Sequence, residues 1–154
     1  MSGPMPLALE VRNKSWLDDG NKDVFFDLLR DQNIAYAAVD EPILSWTVPR
    51  DWPVTAEWGT VARFHGRNNE GWQNPKATVH ERFDYEYKRE ELKGWAEKII
   101  EIRDTFGDSQ KILVMFNNCV SDKAVRGAWL LTEMLGLGTY PGGLQRELDF
   151  SNED

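Results

Sequence analysis

Ile34-Ala35-Tyr36-Ala37-Ala38-Val39-Asp40-Glu41-Pro42 is the stretch on which the fold turns. An apolar run without alternation ends abruptly in two carboxylates and a proline. A buried parallel strand reads this way, because helices cover the face that would otherwise meet water. Three further runs share the pattern. Leu7-Ala8-Leu9-Glu10-Val11-Arg12 leads into Asn13-Lys14-Ser15-Trp16, and Val61-Ala62-Arg63-Phe64 ends at His65-Gly66-Arg67-Asn68. Ile112-Leu113-Val114-Met115-Phe116 ends at Asn117-Asn118. Polar residues gathered at the C-terminal ends of parallel strands are where α/β barrels and open α/β sheets build their sites. The pattern locates a site and does not name its substrate.

The segments between these runs supply the crossovers. Asp18-Asp19-Gly20-Asn21 forms a turn, with Asn21 placed to cap a helix over about Lys22 to Gln32. Val24, Phe25, Leu28 and Leu29 give that helix one apolar face. Asn33 suits a left-handed C-terminal cap before the strand at Ile34. Links this short favour parallel strands joined by a right-handed crossover. Pro42, Pro49 and Pro53 exclude a regular helix over residues 41–60, and Trp46, Trp52 and Trp58 make the segment an ordered aromatic loop over the sheet, with room for a short strand. A third strand covers about Thr60 to His65. Gly66 to Tyr87 lacks periodicity, and Trp72, Phe83, Tyr85 and Tyr87 mark it as a covering loop. A helix over about Lys88 to Phe106 carries a stripe of Leu92, Trp95, Ala96, Ile99, Ile100 and the stem of Arg103, and Gly107 ends it. After the strand Ile112 to Phe116, Asp122 is placed to cap a last helix with Ala128, Leu131 and Leu135. Gly136, Gly138 and Pro141-Gly142-Gly143 stop it. Residues 1–6 read as a short leader, 7–138 as one α/β domain, and 139–154 as a flexible acidic tail. About four parallel strands are too many for about three helices to enclose, so the chain reads as part of a larger barrel.

Composition limits the classes of function. With 154 residues, 41% hydrophobic and 29% charged, the chain is globular and fits one domain. Its net charge of −8 argues against a nucleic-acid partner, which needs a basic face. No apolar run approaches the roughly 20 residues of a membrane span, and Met1 to Pro6 lacks a signal peptide's features, so no membrane contact and a cytoplasmic location are expected. The single cysteine, Cys119, permits no intrachain disulfide and reads as an inert thiol rather than a nucleophile.

Two spacings carry the chemistry. Glu10 and Arg12 lie two apart on a strand and share a face, as do Arg63, His65 and Arg67. Arginine suits carboxylate or phosphate through its planar fork of donors. The same residues equally form an ion-pair network, Glu10–Arg12–Arg63, that fills the interior without a ligand. His65 can move a proton near neutral pH or serve as a hydrogen-bonded structural residue, and His80 reads as solvated. Asp40, Glu41, Asn117 and Asn118 end strands, as caps or, for Asp40 and Asn117, on the rim of a pocket. Tyr85 and Tyr87 can offer hydroxyls from the covering loop. Ser15-Trp16 can do so from the first loop, or Trp16 simply packs. A metal held by Glu10, Asp40 and His65 is only weakly signalled, so no metal site is assigned and no cofactor is named. No phosphate loop, dinucleotide fingerprint or serine elbow is present.

Taken in order, the motifs resemble one family. Glu10-Val11-Arg12-Asn13-Lys14-Ser15-Trp16 resembles the E-[FV]-R-x-x-S-W motif of the YecE-like proteins, domain of unknown function 72. Val39-Asp40-Glu41-Pro42, Ala62-Arg63-Phe64-His65-Gly66-Arg67-Asn68, Tyr85-Glu86-Tyr87 with Glu90-Glu91-Leu92 and Trp95-Ala96, and Val114-Met115-Phe116-Asn117-Asn118-Cys119 resemble its later segments. Asn13-Lys14 stands where His-Pro is common. The resemblance implies an α/β, TIM-barrel-like (β/α) fold loosely related to sugar isomerases. Carried over by motif, it implies Glu10 and His65 as catalytic residues and Arg12, Asp40, Arg67, Tyr85, Tyr87 and Asn117 as ligand-binding residues. Members are roughly twice this long, with the first half of the barrel ahead of the first motif. The chain is therefore expected to form about half a barrel, its C-terminal half. It would then need self-association or an N-terminal half-barrel partner to cover its edge and interior. The function expected is binding or conversion of a small anionic or sugar-like compound. The alternative is a truncated or assembling fragment, or a non-catalytic binding module.

Overall fold

A computed structural model describes residues 5–118 and 120–138. Four strands, β1 (Leu7–Leu9), β2 (Ile34–Asp40), β3 (Gly59–Phe64) and β4 (Lys111–Phe116), lie in one sheet in chain order, every neighbouring pair parallel. Five helices accompany them: α1 (Lys22–Asp31), α2 (Asn69–Gln73), α3 (Val79–Phe83), α4 (Arg89–Phe106) and α5 (Lys123–Met134). Short 3-10 turns at Lys14–Leu17 and Gly107–Ser109 complete the described elements.

The register aligns like with like. Asp40 pairs with Phe64 and Phe64 with Phe116, so Tyr36, Ala38, Asp40, Ala62, Phe64, Val114 and Phe116 share the face that meets the helices. Phe25, Phe26 and Leu29 of α1 pack there against Tyr36, and Leu92, Trp95, Ala96, Ile99 and Ile102 of α4 pack against Phe64 and its neighbours. Each such side chain contributes about 1.5–3 kcal/mol by leaving water. The opposite face, here the inner face, carries Ala35, Ala37 and Val61 under Ala56 and Trp58. It continues through Arg63, which pairs with Met115.

Several expectations need correction. The first strand stops at Leu9 rather than Arg12, because beyond it Glu10 and Arg12 turn into a charged cluster and the chain enters a 3-10 turn. On α1, Phe26 takes the buried position and Val24 and Leu28 stay exposed. Two overlapping apolar stripes exist, and the sheet selects the one that reaches Tyr36. On α4, Ile102 rather than Arg103 closes the buried stripe, and the exposed Arg103 pairs with Asp104. Asn21 and Asp122 stand at helix starts without capping. Asn21 donates to the Ser15 carbonyl, and Asp122 pairs with Arg126. The covering segment 66–87 contains α2 and α3, the latter held by a reciprocal Thr78–Glu81 cap. Segment 41–58 is irregular, as its prolines require. It is tied down where Thr55 Oγ1 accepts from Tyr36 N at 2.7 Å and Trp52 Nε1 donates to Thr60 Oγ1 at 2.7 Å. Asn33, at φ 53°, is the left-handed cap. Cys119, the Pro141-Gly142-Gly143 turn and the acidic tail lie outside the described residues.

Candidate functional site

Alternation along a strand divides the polar residues at the strand ends into two clusters on opposite faces. On the inner face Glu10 is the hub. Its Oε1 accepts from Arg12 Nη1 at 2.9 Å, and its Oε2 accepts from Arg63 Nη1 at 2.5 Å. His65 Nε2 lies 3.3 Å from both Glu10 Oε1 and Arg12 Nη1. Arginine only donates and an ionised carboxylate only accepts, so the proton on Nε2 decides which of the two the imidazole engages. Arg12 Nη2 also donates to Glu41 Oε2 at 2.8 Å, and Arg63 Nε donates to Asn117 Oδ1 at 3.3 Å. His65 Nδ1 and Arg12 Nε are buried and lack hydrogen-bond partners among the described residues.

The second cluster lies on the helix face. Asp40 is completely buried and accepts from Arg67 Nε at 2.8 Å, Arg67 Nη2 at 2.6 Å, Tyr87 Oη at 2.9 Å and Trp95 Nε1 at 2.6 Å. Arg50 Nε approaches it to 3.3 Å. Tyr87 Oη also accepts from Gly66 N at 2.9 Å. Tyr85 Oη donates to Glu91. Asp40 is thus a buried anchor rather than a rim group, and Tyr87 is buried with it. Arg67 leaves the parity of Arg63 and His65 because Gly66, at φ +85°, turns the chain between them. The structure brings Glu10, Arg12 and His65 together, with Asn117 joined through Arg63. It sets Asp40, Arg67 and Tyr87 across the sheet, with Tyr85 beside Tyr87.

This split also separates Asp40 from Glu10 and His65. Among the described residues no three His, Cys, Asp or Glu side chains are grouped to hold a metal.

The charges respond to their surroundings. Burial pushes the Glu10 carboxyl up, but His65 and Arg63 outweigh it and hold it at about 2. Burial raises Glu41 above the usual carboxylate range, only partly offset by Arg12. Burial raises the Tyr85 hydroxyl to about 12, assisted by Glu91. Burial and Asp40 together raise Tyr87 further.

An aromatic wall stands over the inner cluster. The Arg12 guanidinium lies 5.2 Å from the Trp72 ring centre, Trp72 stacks on Trp46 at 6.0 Å, and Phe83 links Trp72 (5.8 Å) to His65 (5.7 Å). Arg63, Glu41 and the wall were not singled out as ligand residues by sequence. The parity of Arg63 with His65 was the available signal. Trp46 comes from the irregular segment 41–58, and Trp72 and Phe83 from the short helices α2 and α3, whose spacing carries none.

Fold and strand-end clusters define an α/β protein with its polar residues at the C-terminal ends of parallel strands. The family described as "Protein of unknown function DUF72" matches residues 1–147, and the chain belongs to it. The UPF0759 protein YunF of Bacillus subtilis (strain 168) is 32% identical over 151 residues, covering 96% of this chain and 52% of that protein. A crystal structure of a DUF72 family protein from Enterococcus faecalis V583 superimposes with a TM-score of 0.78 at 28% identity, covering 90% of this chain and 50% of that one. Another, from Thermotoga maritima MSB8, gives 0.73 at 32% identity, covering 86% and 47%. The chain spans about half the length of the relatives it matches.

Proposed function

We propose that this chain binds or converts a small anionic or sugar-like compound at the C-terminal ends of its strands, on the inner face. The observation that carries this is the half-open state of the two arginines. Arg12 and Arg63 are fixed by Glu10, yet 41% and 32% of their side chains remain accessible. Accessible donors held in place by a carboxylate let an anion or hydroxyl approach without rearrangement. The accessible guanidinium groups of Arg12 and Arg63 supply hydrogen-bond donors. The Trp46–Trp72 wall supplies a flat surface for a sugar ring. In a reaction His65 is the proton carrier. Glu10, held at about 2, is too weak a base for that role and orients the imidazole instead.

The test is a melting-temperature panel of sugar phosphates, the same sugars without phosphate, and inorganic phosphate. A ligand at about a hundred times its Kd stabilises by about 2.7 kcal/mol, a rise of roughly 5 °C or more for a chain of this size. The rise is lost in Arg63→Met. Failure of every compound to stabilise the protein overturns the reading.

We also infer that the sheet is half of a TIM-barrel-like structure. Four parallel strands in unbroken chain order support this, together with relatives of double length. An assembling fragment or a binding module without turnover shares that architecture. The module predicts retention of ligand and no product in a single-turnover experiment.

A further inference from the structure

The crossover from β2 to β3 carries no helix, and segment 41–58 runs between the two strands as irregular chain. On the helix face this leaves a gap beside α4, a cleft of about 400 Å³. The cleft lies over β2 and β3, the two central strands of the sheet. Its floor is aromatic. Trp52 and Trp95 meet there at 5.3 Å, Trp52 held to Thr60 and Trp95 to the buried Asp40. Arg50 and Asp51 form one wall, and Gly94 and Lys98 of α4 form the other. A cavity of this size takes a small molecule.

The charges in the cleft are unevenly spent. Asp40 accepts four hydrogen bonds, two of them from Arg67, which fills the capacity of a carboxylate. Arg50 comes within 3.3 Å of the same carboxylate, yet its Nε has no hydrogen-bond partner among the described residues. Its Nη2 donates to a neutral acceptor, the Glu41 carbonyl, at 3.0 Å. Glu91 is engaged by Tyr85, the Lys88 amide and Arg67, and Asp51 by Lys22. Lys98 pairs with Glu101 one turn along, an exposed contact of little strength. Arg50 and Lys98 therefore have charge to offer, with 29% and 36% of their side chains accessible.

Gly94 is an independent sign. Glycine is unfavourable in a helix interior, and no atom beyond its own helix lies within 4 Å of where its β-carbon would stand. Packing among the described residues does not require it. A molecule seated in the cleft does, because a glycine lets it lie against the α4 backbone.

We propose that this cleft binds a small dicarboxylate, one carboxylate on Arg50 and the other on Lys98. The inner cluster gathers Arg12 and Arg63 on one point, the Glu10 carboxylate, whereas here the two cations stand on facing walls. Two separated carboxylates match that arrangement better than one compact anion, and the planar fork of Arg50 suits a carboxylate. The site is distinct from the inner cluster and lies on the other side of the sheet.

Titration of succinate, followed by the indole N–H signals in proton–nitrogen NMR spectra, tests this. The Trp52 and Trp95 signals should shift saturably, while those of Trp46 and Trp72, over the inner cluster, stay in place. Acetate should bind at least about tenfold more weakly than succinate. Lys98→Met should weaken succinate at least about tenfold, and Lys98→Arg should retain it. Gly94→Leu removes no contact and suits a helix, so it should abolish binding while the melting temperature holds or rises. Absence of a saturable shift at Trp52 and Trp95, equal affinity for acetate, or binding that survives both Lys98→Met and Gly94→Leu overturns the proposal. Shifts at Trp46 and Trp72 without any at Trp52 and Trp95 place the dicarboxylate on the inner face and overturn it as well.

Discussion

Glu10 holds two arginines and a histidine, and its own ionisation depends on them. Its folded-state value of about 2 lies below the ordinary 4.5. A depressed carboxyl stabilises the fold above its unfolded value and loses that contribution as pH falls through its folded value. Stability should therefore decline between about pH 4.5 and 2 by up to about 3 kcal/mol, and Glu10→Gln should flatten that decline, both read by urea unfolding. Glu41 is shifted the other way, so its protonation as pH falls favours the folded state. Glu41→Gln should accordingly cost less than Glu10→Gln at pH 7. Arg67→Ala leaves the buried Asp40 with Arg50 as its remaining cation, and should cost about 3 kcal/mol in the same assay. At this scale the sequence was legible where alternation carries on just past the ends of β1 and β3. Glu10 with Arg12 and Arg63 with His65 are pairs two residues apart. Arg67 was not, because a single left-handed glycine redirects it.

That glycine also fixes the element that follows it. A β-carbon at Gly66 would stand 2.6 Å from Tyr85 Cβ, and the φ of +85° is unfavourable for any other residue. Gly66→Ala should lower stability by about 2 kcal/mol or more and loosen the covering segment, with faster proteolysis between β3 and α4. Phe26→Ala should cost about 3–5 kcal/mol in thermal unfolding, since its ring fills the space between α1 and Tyr36. β2, β3, β4 and α4 were legible because long apolar runs and a sustained helical stripe leave few alternatives. The face of α1 was not, because Val24–Leu28 and Phe25–Leu29 are both helical spacings and only the sheet decides between them. The short helices α2 and α3 depend on local caps at Asn68 and Thr78, which periodicity does not register.

Among the described residues the chain is a four-stranded parallel sheet with its helices, β1 and β4 outermost, and its relatives carry about as much chain again. Parallel order was readable from the strand–helix alternation. The two-sided distribution of charge was not, because it follows from the register across three strands. That register leaves a buried anchor on Asp40 behind the sheet and a half-open cluster on Glu10 in front of it. The front cluster is where a small charged or hydroxylated molecule is expected to bind. Calorimetric titration of a sugar phosphate into the wild-type protein and Arg63→Met tests this most directly. Saturable binding should weaken at least about tenfold, roughly 1.4 kcal/mol, in the variant. It should also weaken as salt is raised. Equal affinity in the two proteins, or no saturable binding of any sugar phosphate, would contradict it.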